Sequence, residues 1–122
     1  MELTPLEGLF VDEFCRFAKI ANAATSKLRA SGRSRSSVGF ITTLDKATVP
    51  YELKWGARVF DTPRVALVGP AQEPCGSLLF FDLETGMLEA IEGFVFGDIW
   101  PAIEEPSHWS TVDRSDGRAR RH

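Results

Sequence analysis

The sequence predicts an α+β fold, in which one long N-terminal helix packs on a twisted antiparallel sheet of about five strands. Near the N-terminus, apolar residues recur every three or four positions, which indicates one buried face of a helix. Beyond residue 37 the period changes to two, in short segments with short links. Those links cannot hold helical crossovers, so neighbouring strands are expected to run antiparallel.

The helix is predicted over 5–30, either continuous or broken once. Thr4 suits the N-cap, and Glu7 lies three residues later, as in a capping box. The apolar stripe consists of Leu6, Phe10, Phe14, Phe17, Ala21, Ala24 and Leu28. Because this stripe is expected to face the sheet, truncating Phe14 or Phe17 to alanine should cost about 3–5 kcal/mol.

Strands are expected over 38–44, 51–59, 64–69, 77–83 and 87–96. The segment 51–59 alternates most clearly between apolar and polar residues, as a half-buried strand does. The Ser- and Arg-rich segment 31–37 is expected to be a loop instead. Three residues ending at Gly86 join the last two strands, which favours a hairpin.

The length of 122 residues, with 43% apolar and 25% charged, indicates one soluble globular domain. This domain is expected over 1–109, followed by a polar, disordered tail over 110–122. No apolar window is long enough to cross a membrane. The N-terminus also lacks the basic and apolar stretches of a secretory signal, so a cytoplasmic location is expected.

No recognisable catalytic motif is present, so we expect a protein without enzymatic activity and without a cofactor. Cys15 and Cys75 are far apart in sequence, and a reduced pair is favoured over a disulfide. The two histidines, His108 and His122, have no close spacing to the cysteines, so no metal site is expected.

The formal net charge of −3 is unevenly distributed. Ten basic and three acidic residues lie between Arg16 and Arg64, whereas eight acidic and no basic residues lie between Glu73 and Glu105. The two regions could neutralise one another in the fold. Alternatively, the last hairpin carries an acidic face that steers a basic protein partner. Nucleic-acid binding is not expected, because the basic segment 27–35 lacks interleaved aromatic residues.

Four residues are the candidate partner contacts: Glu89, Glu92, Asp98 and Trp100. In a regular strand, Glu89 and Glu92 would point to opposite faces. A bulge near Gly93 would bring both to one surface; the alternative is one exposed glutamate and one paired to an arginine. Trp100 could be an interface anchor or could fold back over the end of the sheet.

Three segments of the C-terminal hairpin carry a family resemblance: C-G-S-L-L-F-F from Cys75, L-E-A-I-E-G-F from Leu88 and G-D-I-W-P from Gly97. They resemble the closing hairpin of small bacterial immunity-type and orphan proteins associated with polymorphic toxin systems. The resemblance implies a small cytoplasmic protein that binds a toxin domain and occludes its active site. It implies no catalytic residues, and Glu92-Gly93 and Gly97-Asp98 can be structural positions in that pattern.

The favoured hypothesis is an immunity protein whose acidic hairpin covers a basic active-site cleft. The alternative is a small-molecule-binding domain or small enzyme with a pocket between helix and sheet. A third hypothesis is an interaction module that forms a homodimer through an exposed sheet edge.

Overall fold

The computed structural model describes residues 1–97, 99–101 and 106–113, and gives side chains for all of these except 22–24 and 107–113. It confirms the predicted α+β class, with an N-terminal helix packed on an antiparallel sheet. The helix α1 spans Pro5–Ala18, and a 3-10 helix spans Asn22–Lys27. The strands are β1 (Ala30–Arg35), β2 (Gly39–Leu44), β3 (Val59–Asp61), β4 (Arg64–Val68), β5 (Glu73–Phe81), β6 (Leu88–Val95) and β7 (Pro106–Asp113).

The strand order is β1-β2-β6-β5-β4-β7, and β3 pairs with β5 beside β4. The strands β3 and β4 therefore form one interrupted strand along the same edge of β5. Thr62 lies at the interruption, where its hydroxyl is 2.9 Å from the hydroxyl of Ser77. Both residues are buried, so this contact satisfies two polar groups that would otherwise be costly to bury.

The expectation of one continuous helix over 5–30 is wrong, because α1 ends at Ala18; the alternative of one break fits better, since a 3-10 helix follows over Asn22–Lys27. Lys19 adopts the left-handed conformation at φ 61°, and the backbone N–H of Ile20 donates to the carbonyl of Cys15 at 2.8 Å. This is the six-to-one bond of a Schellman C-cap. The apolar stripe continued to Leu28 because the chain after this cap returns to the core, where Leu28 is buried.

One predicted strand and one predicted loop are also wrong. The segment 51–59 forms turns and bends up to residue 58, with one isolated bridge between Lys54 and Met87. Its alternation arises because Leu53 is buried while Tyr51 is 73% exposed, in a loop that packs against the β5–β6 turn. Conversely, most of the predicted loop 31–37 is β1, an edge strand whose polar residues face solvent or pair with α1.

The core lies between α1 and one face of the sheet, which we call the inner face. Phe14 is fully buried, with its ring centroid 5.0 Å from Phe60 and 5.1 Å from Phe81. Phe17 packs on Trp55 and Phe60 but is 52% exposed. The cost of about 3–5 kcal/mol therefore applies to Phe14→Ala, and the equal cost expected for Phe17→Ala is wrong because that ring is half in water.

The first four residues of the expected tail, 110–113, belong to β7, which pairs with β4. The rest of that tail, 114–122, lies outside the described residues. The division of the chain at residue 109 stays a prediction.

Candidate functional site

The candidate site is the outer face of the sheet, on the side opposite α1. We define it by the outward-facing side chains of four strands and by the bulged residue Glu89. At these outward positions of β2, β3, β5 and β6 there is no lysine or arginine. The residues of the outer face are Ile41, Thr43, Val59, Asp61, Leu78, Phe80, Glu89, Ala90, Glu92 and Phe94.

Glu92 lies at the centre of the outer face. It pairs with Ile41 on β2 and with Leu78 on β5, and Leu78 in turn pairs with Asp61 on β3. Along its own strand its nearest neighbour on the same face beyond Gly93 is Phe94, whose ring centroid is 5.6 Å from that of Phe96. The Glu92 side chain is thus half-buried by apolar residues. Within the described residues, it forms no ion pair.

Glu89 reaches the same face through a bulge in β6. Phe80 pairs with Ala90 and Phe81 pairs with Leu88, so Glu89 is an extra residue without a partner on β5. Its carboxylate accepts a hydrogen bond from Arg58, whose guanidinium lies 5.6 Å from the centroid of the outward-facing Phe80 ring. The bulge lies at Glu89 and not near Gly93, where the pairing is regular.

Trp100 lies on the opposite side of the sheet from Glu92. Its ring packs edge-on against Phe40, with centroids 5.4 Å apart, and its backbone N–H donates to the carbonyl of Ser37 at 2.6 Å. Phe40 belongs to the core under α1. Trp100 therefore folds back over the end of the sheet, and it does not share a surface with Glu89 and Glu92. Asp98 lies outside the described residues.

Sequence reasoning missed the neighbours that surround Glu92. Ile41, Leu78 and Asp61 come from three strands that are far apart in the chain. The period of two indicated which residues of each strand share a side, but strand order is set by long-range pairing that no local pattern reveals. Asp61 lies within the basic region of the sequence, but the fold places it on the outer face, paired with Leu78.

Within the described residues, the two charged regions of the sequence come together in an ion pair. Among the ion pairs described, Arg58–Glu89 is the one that joins the basic region to the acidic region. Glu13 and Glu7, which precede both regions, pair with Arg64 and Arg33 at 2.7 Å. The basic region is thus partly satisfied by α1, and the carboxylate of Glu92 is left on the outer face.

Two small cavities are described, and neither lies between α1 and the sheet. One, of about 180 Å³, lies at the β5–β6 turn beside Lys46, Val49 and Glu89. The other, of about 120 Å³, lies beside the β1–β2 turn and reaches Glu92. Both are smaller than the roughly 300–1,000 Å³ that drug-sized ligands occupy. The space between helix and sheet is packed with buried aliphatic and aromatic side chains, and no described cavity supports the alternative hypothesis of a pocket there.

The two cysteine thiols are held away from solvent. Both cysteines are free and buried, and burial together with the nearby Asp12 charge raises the pKa of Cys15 to about 11. Because the thiolate is the reactive form, this thiol is a poor nucleophile at neutral pH. In the part of the chain that the structure describes, no three metal-ligating side chains converge.

Comparison with protein-family models, with curated proteins and with solved structures found no match to this chain. The resemblance of the hairpin to immunity-type proteins therefore stays a prediction. Among the described helices, none is long and apolar enough to span a membrane.

Proposed function

We propose that this chain is a non-enzymatic binding protein that covers a basic surface of a protein partner with the outer face of its sheet. Most specifically, we propose a cytoplasmic immunity protein that occludes the active site of a cognate toxin. The observation that carries the proposal is the half-buried Glu92, which lies among apolar residues at the centre of a sheet face whose outward strand positions contain no lysine or arginine.

The composition of this face supports a protein partner. Ile41 is 46% exposed and Val59 39% exposed, and together with the half-buried Leu78, Phe80 and Phe94 they form an apolar surface around carboxylates. Contiguous exposed apolar surface with polar groups is typical of interaction sites. The face is open, without a described cavity large enough to enclose a drug-sized ligand, so an extended complementary surface fits it better than a small molecule.

Charge complementarity supports a basic partner. Glu92 lies on the face and is in no described ion pair, whereas Glu89 is already bound to Arg58. An acidic surface raises the association rate of a basic partner and disfavours acidic ones. A toxin that handles anionic substrates presents such a basic cleft, because it must bind negative charge.

The test is neutralisation of a toxic protein in a growth assay. The protein encoded beside this chain in its genome is expressed from an inducible promoter, with and without the chain. We expect growth arrest by the neighbour alone and restored growth when the chain is present. A harmless neighbour, or arrest that the chain does not relieve, would contradict the proposal.

A pair of matched variants tests whether the outer face is used. Ile41→Arg places a cation on the face and should abolish rescue. Leu83→Arg places the same cation on the β5–β6 turn, where Leu83 is 80% exposed, and should preserve rescue. Both chains should have equal soluble expression, and equal rescue by both would contradict binding through the outer face.

A further inference from the structure

We infer that Glu92, and not Glu89, is the carboxylate that contacts the partner, and that the partner group it receives is an arginine guanidinium. This inference rests on the proposed function, because it names the chemistry of the same face. It distinguishes two glutamates that lie three residues apart on one strand.

Glu89 is already engaged within the chain. Arg58 donates to its carboxylate and also to the carbonyl of Phe81 at 2.7 Å, while the guanidinium lies over Phe80. A partner cation would have to displace Arg58 from several contacts to reach this carboxylate. Glu89 and Arg58 together present little net charge to an approaching surface.

Glu92 has the opposite properties. Apolar neighbours flank it on both adjacent strands, and within the described residues no cation pairs with it. When a partner covers this face, the carboxylate loses water, and a buried unpaired charge is costly. A partner that supplies a counter-ion at this position is therefore selected over one that supplies an apolar or acidic group.

The surroundings of Glu92 favour a guanidinium over an ammonium ion. A guanidinium can form two parallel hydrogen bonds to a carboxylate and is less strongly hydrated than the ammonium group of lysine. It also stacks on aromatic rings, and the Phe94–Phe96 pair begins two residues beyond Glu92 on the same strand. A lysine ammonium group would gain the charge attraction but neither the two parallel hydrogen bonds nor the planar stacking on an aromatic ring.

The test uses three short peptides as probes: acetyl-Trp-Arg-Trp-amide and the analogues with lysine or citrulline at the centre. Each is titrated into the full chain labelled with ¹⁵N, and amide chemical shifts are followed. We expect the arginine peptide to shift the amides of Ile41, Leu78 and Glu92, and to bind about tenfold more tightly than the uncharged citrulline peptide, which is about 1.4 kcal/mol. The lysine peptide should be intermediate.

Variants assign the binding to one glutamate. Glu92→Gln should weaken the arginine peptide about tenfold, to the level of the citrulline peptide. Glu89→Gln should change it by less than about twofold, as should Glu84→Gln on the exposed β5–β6 turn. Equal binding of the arginine and lysine peptides, or a larger loss in Glu89→Gln than in Glu92→Gln, would overturn the inference.

The growth assay separates this inference from the proposed function. If the wild-type chain rescues growth and Glu92→Gln rescues equally well at the same expression level, the inference is overturned and the proposed function stands. If the arginine peptide binds through Glu92 but the chain rescues no growth, the proposed function fails and the site stands. Thermal unfolding of Glu92→Gln within a few degrees of wild type shows that any loss is not a folding defect.

Discussion

Gly93 is required by packing and not by backbone conformation. A Cβ atom on this residue would lie 2.4 Å from the Phe40 ring, which itself packs against Trp100. The glycine in the L-E-A-I-E-G-F segment therefore has a structural cause: it makes room for an aromatic ring on the neighbouring strand. Trp100 in the G-D-I-W-P segment likewise has a structural cause, because its ring packs against the Phe40 ring.

Gly93→Ala should lower the free energy of unfolding by about 1–3 kcal/mol, because the Phe40 ring and then Trp100 must move. Chemical denaturation followed by tryptophan fluorescence measures the loss. Gly8→Ala is the matched control, since nothing lies within 4 Å of a Cβ built there. It lies inside α1 and should raise stability by about 0.5–1 kcal/mol. Equal stabilities for the two variants would exclude the proposed packing role of Gly93.

At the scale of single elements, α1 is bound to the sheet through two glutamates on its inner side. Glu7 accepts from the Arg33 guanidinium at 2.7 Å and also from the hydroxyl of Thr42. Glu13 accepts from Arg64 at 2.7 Å and from Arg16 at 3.0 Å. These pairs connect one helix to β1, at one edge of the sheet, and to β4 near the other.

Arg33→Met should destabilise the chain by about 3–5 kcal/mol, because it leaves the buried carboxylate of Glu7 without its counter-ion. Adding Glu7→Gln should recover much of this loss, since the neutral amide has no charge to compensate. The coupling is measured by denaturant unfolding of both single variants and the double variant. Additive losses in the double variant would show that the two residues do not act as a pair.

The start of α1 was predictable from sequence and its end was not. Thr4 and Glu7 form the capping box that their spacing predicts, with bonds of 3.1 and 2.8 Å. The helix ends at a lysine in a conformation that glycine usually adopts, so no residue type signals the stop. The strand β1 was also not signalled by its residue types, which are mostly polar. It is an edge strand, and its Arg33 pairs with Glu7 on α1.

For the whole molecule, the buried glutamates set the response to acid. Burial acts to raise the pKa of Glu7 and of Glu13, but hydrogen bonds and charge from their arginine partners outweigh it and hold each pKa below its ordinary value of 4.5. A carboxyl with a lowered folded-state pKa stabilises the fold above its unfolded-state pKa. That contribution is lost as the pH falls through the folded-state pKa.

We therefore expect the contribution of these two groups to be fully present near pH 6–7 and to decline below about pH 4.5. Asp12 opposes this trend, because burial raises its pKa in spite of the bond from the Thr25 hydroxyl. Urea unfolding at a series of pH values measures the profile. Asp12→Asn should gain stability at pH 7 and match wild type at low pH, whereas Glu7→Gln should flatten the loss in acid. An acid profile unchanged by Glu7→Gln would contradict the assignment.

The class of fold followed from sequence periodicity, whereas the site depended on strand order. The period of two located both glutamates on the last strand of the hairpin, but it placed them on opposite faces. A single extra residue in β6 reverses that outcome for Glu89. The apolar ring around Glu92 requires β2 and β5 to flank β6, and this arrangement is fixed by contacts that span much of the chain.

The two faces of the sheet also separate the residues that stabilise the fold from those of the proposed binding surface. Side chains on the inner face fill the core or complete buried ion pairs, so a substitution there opens a cavity or leaves a charge unpaired. Outward substitutions at positions such as Ile41 change the surface without disturbing α1. The same scaffold can therefore acquire a different outer surface through a few outward replacements on three central strands, while its core and buried ion pairs stay unchanged.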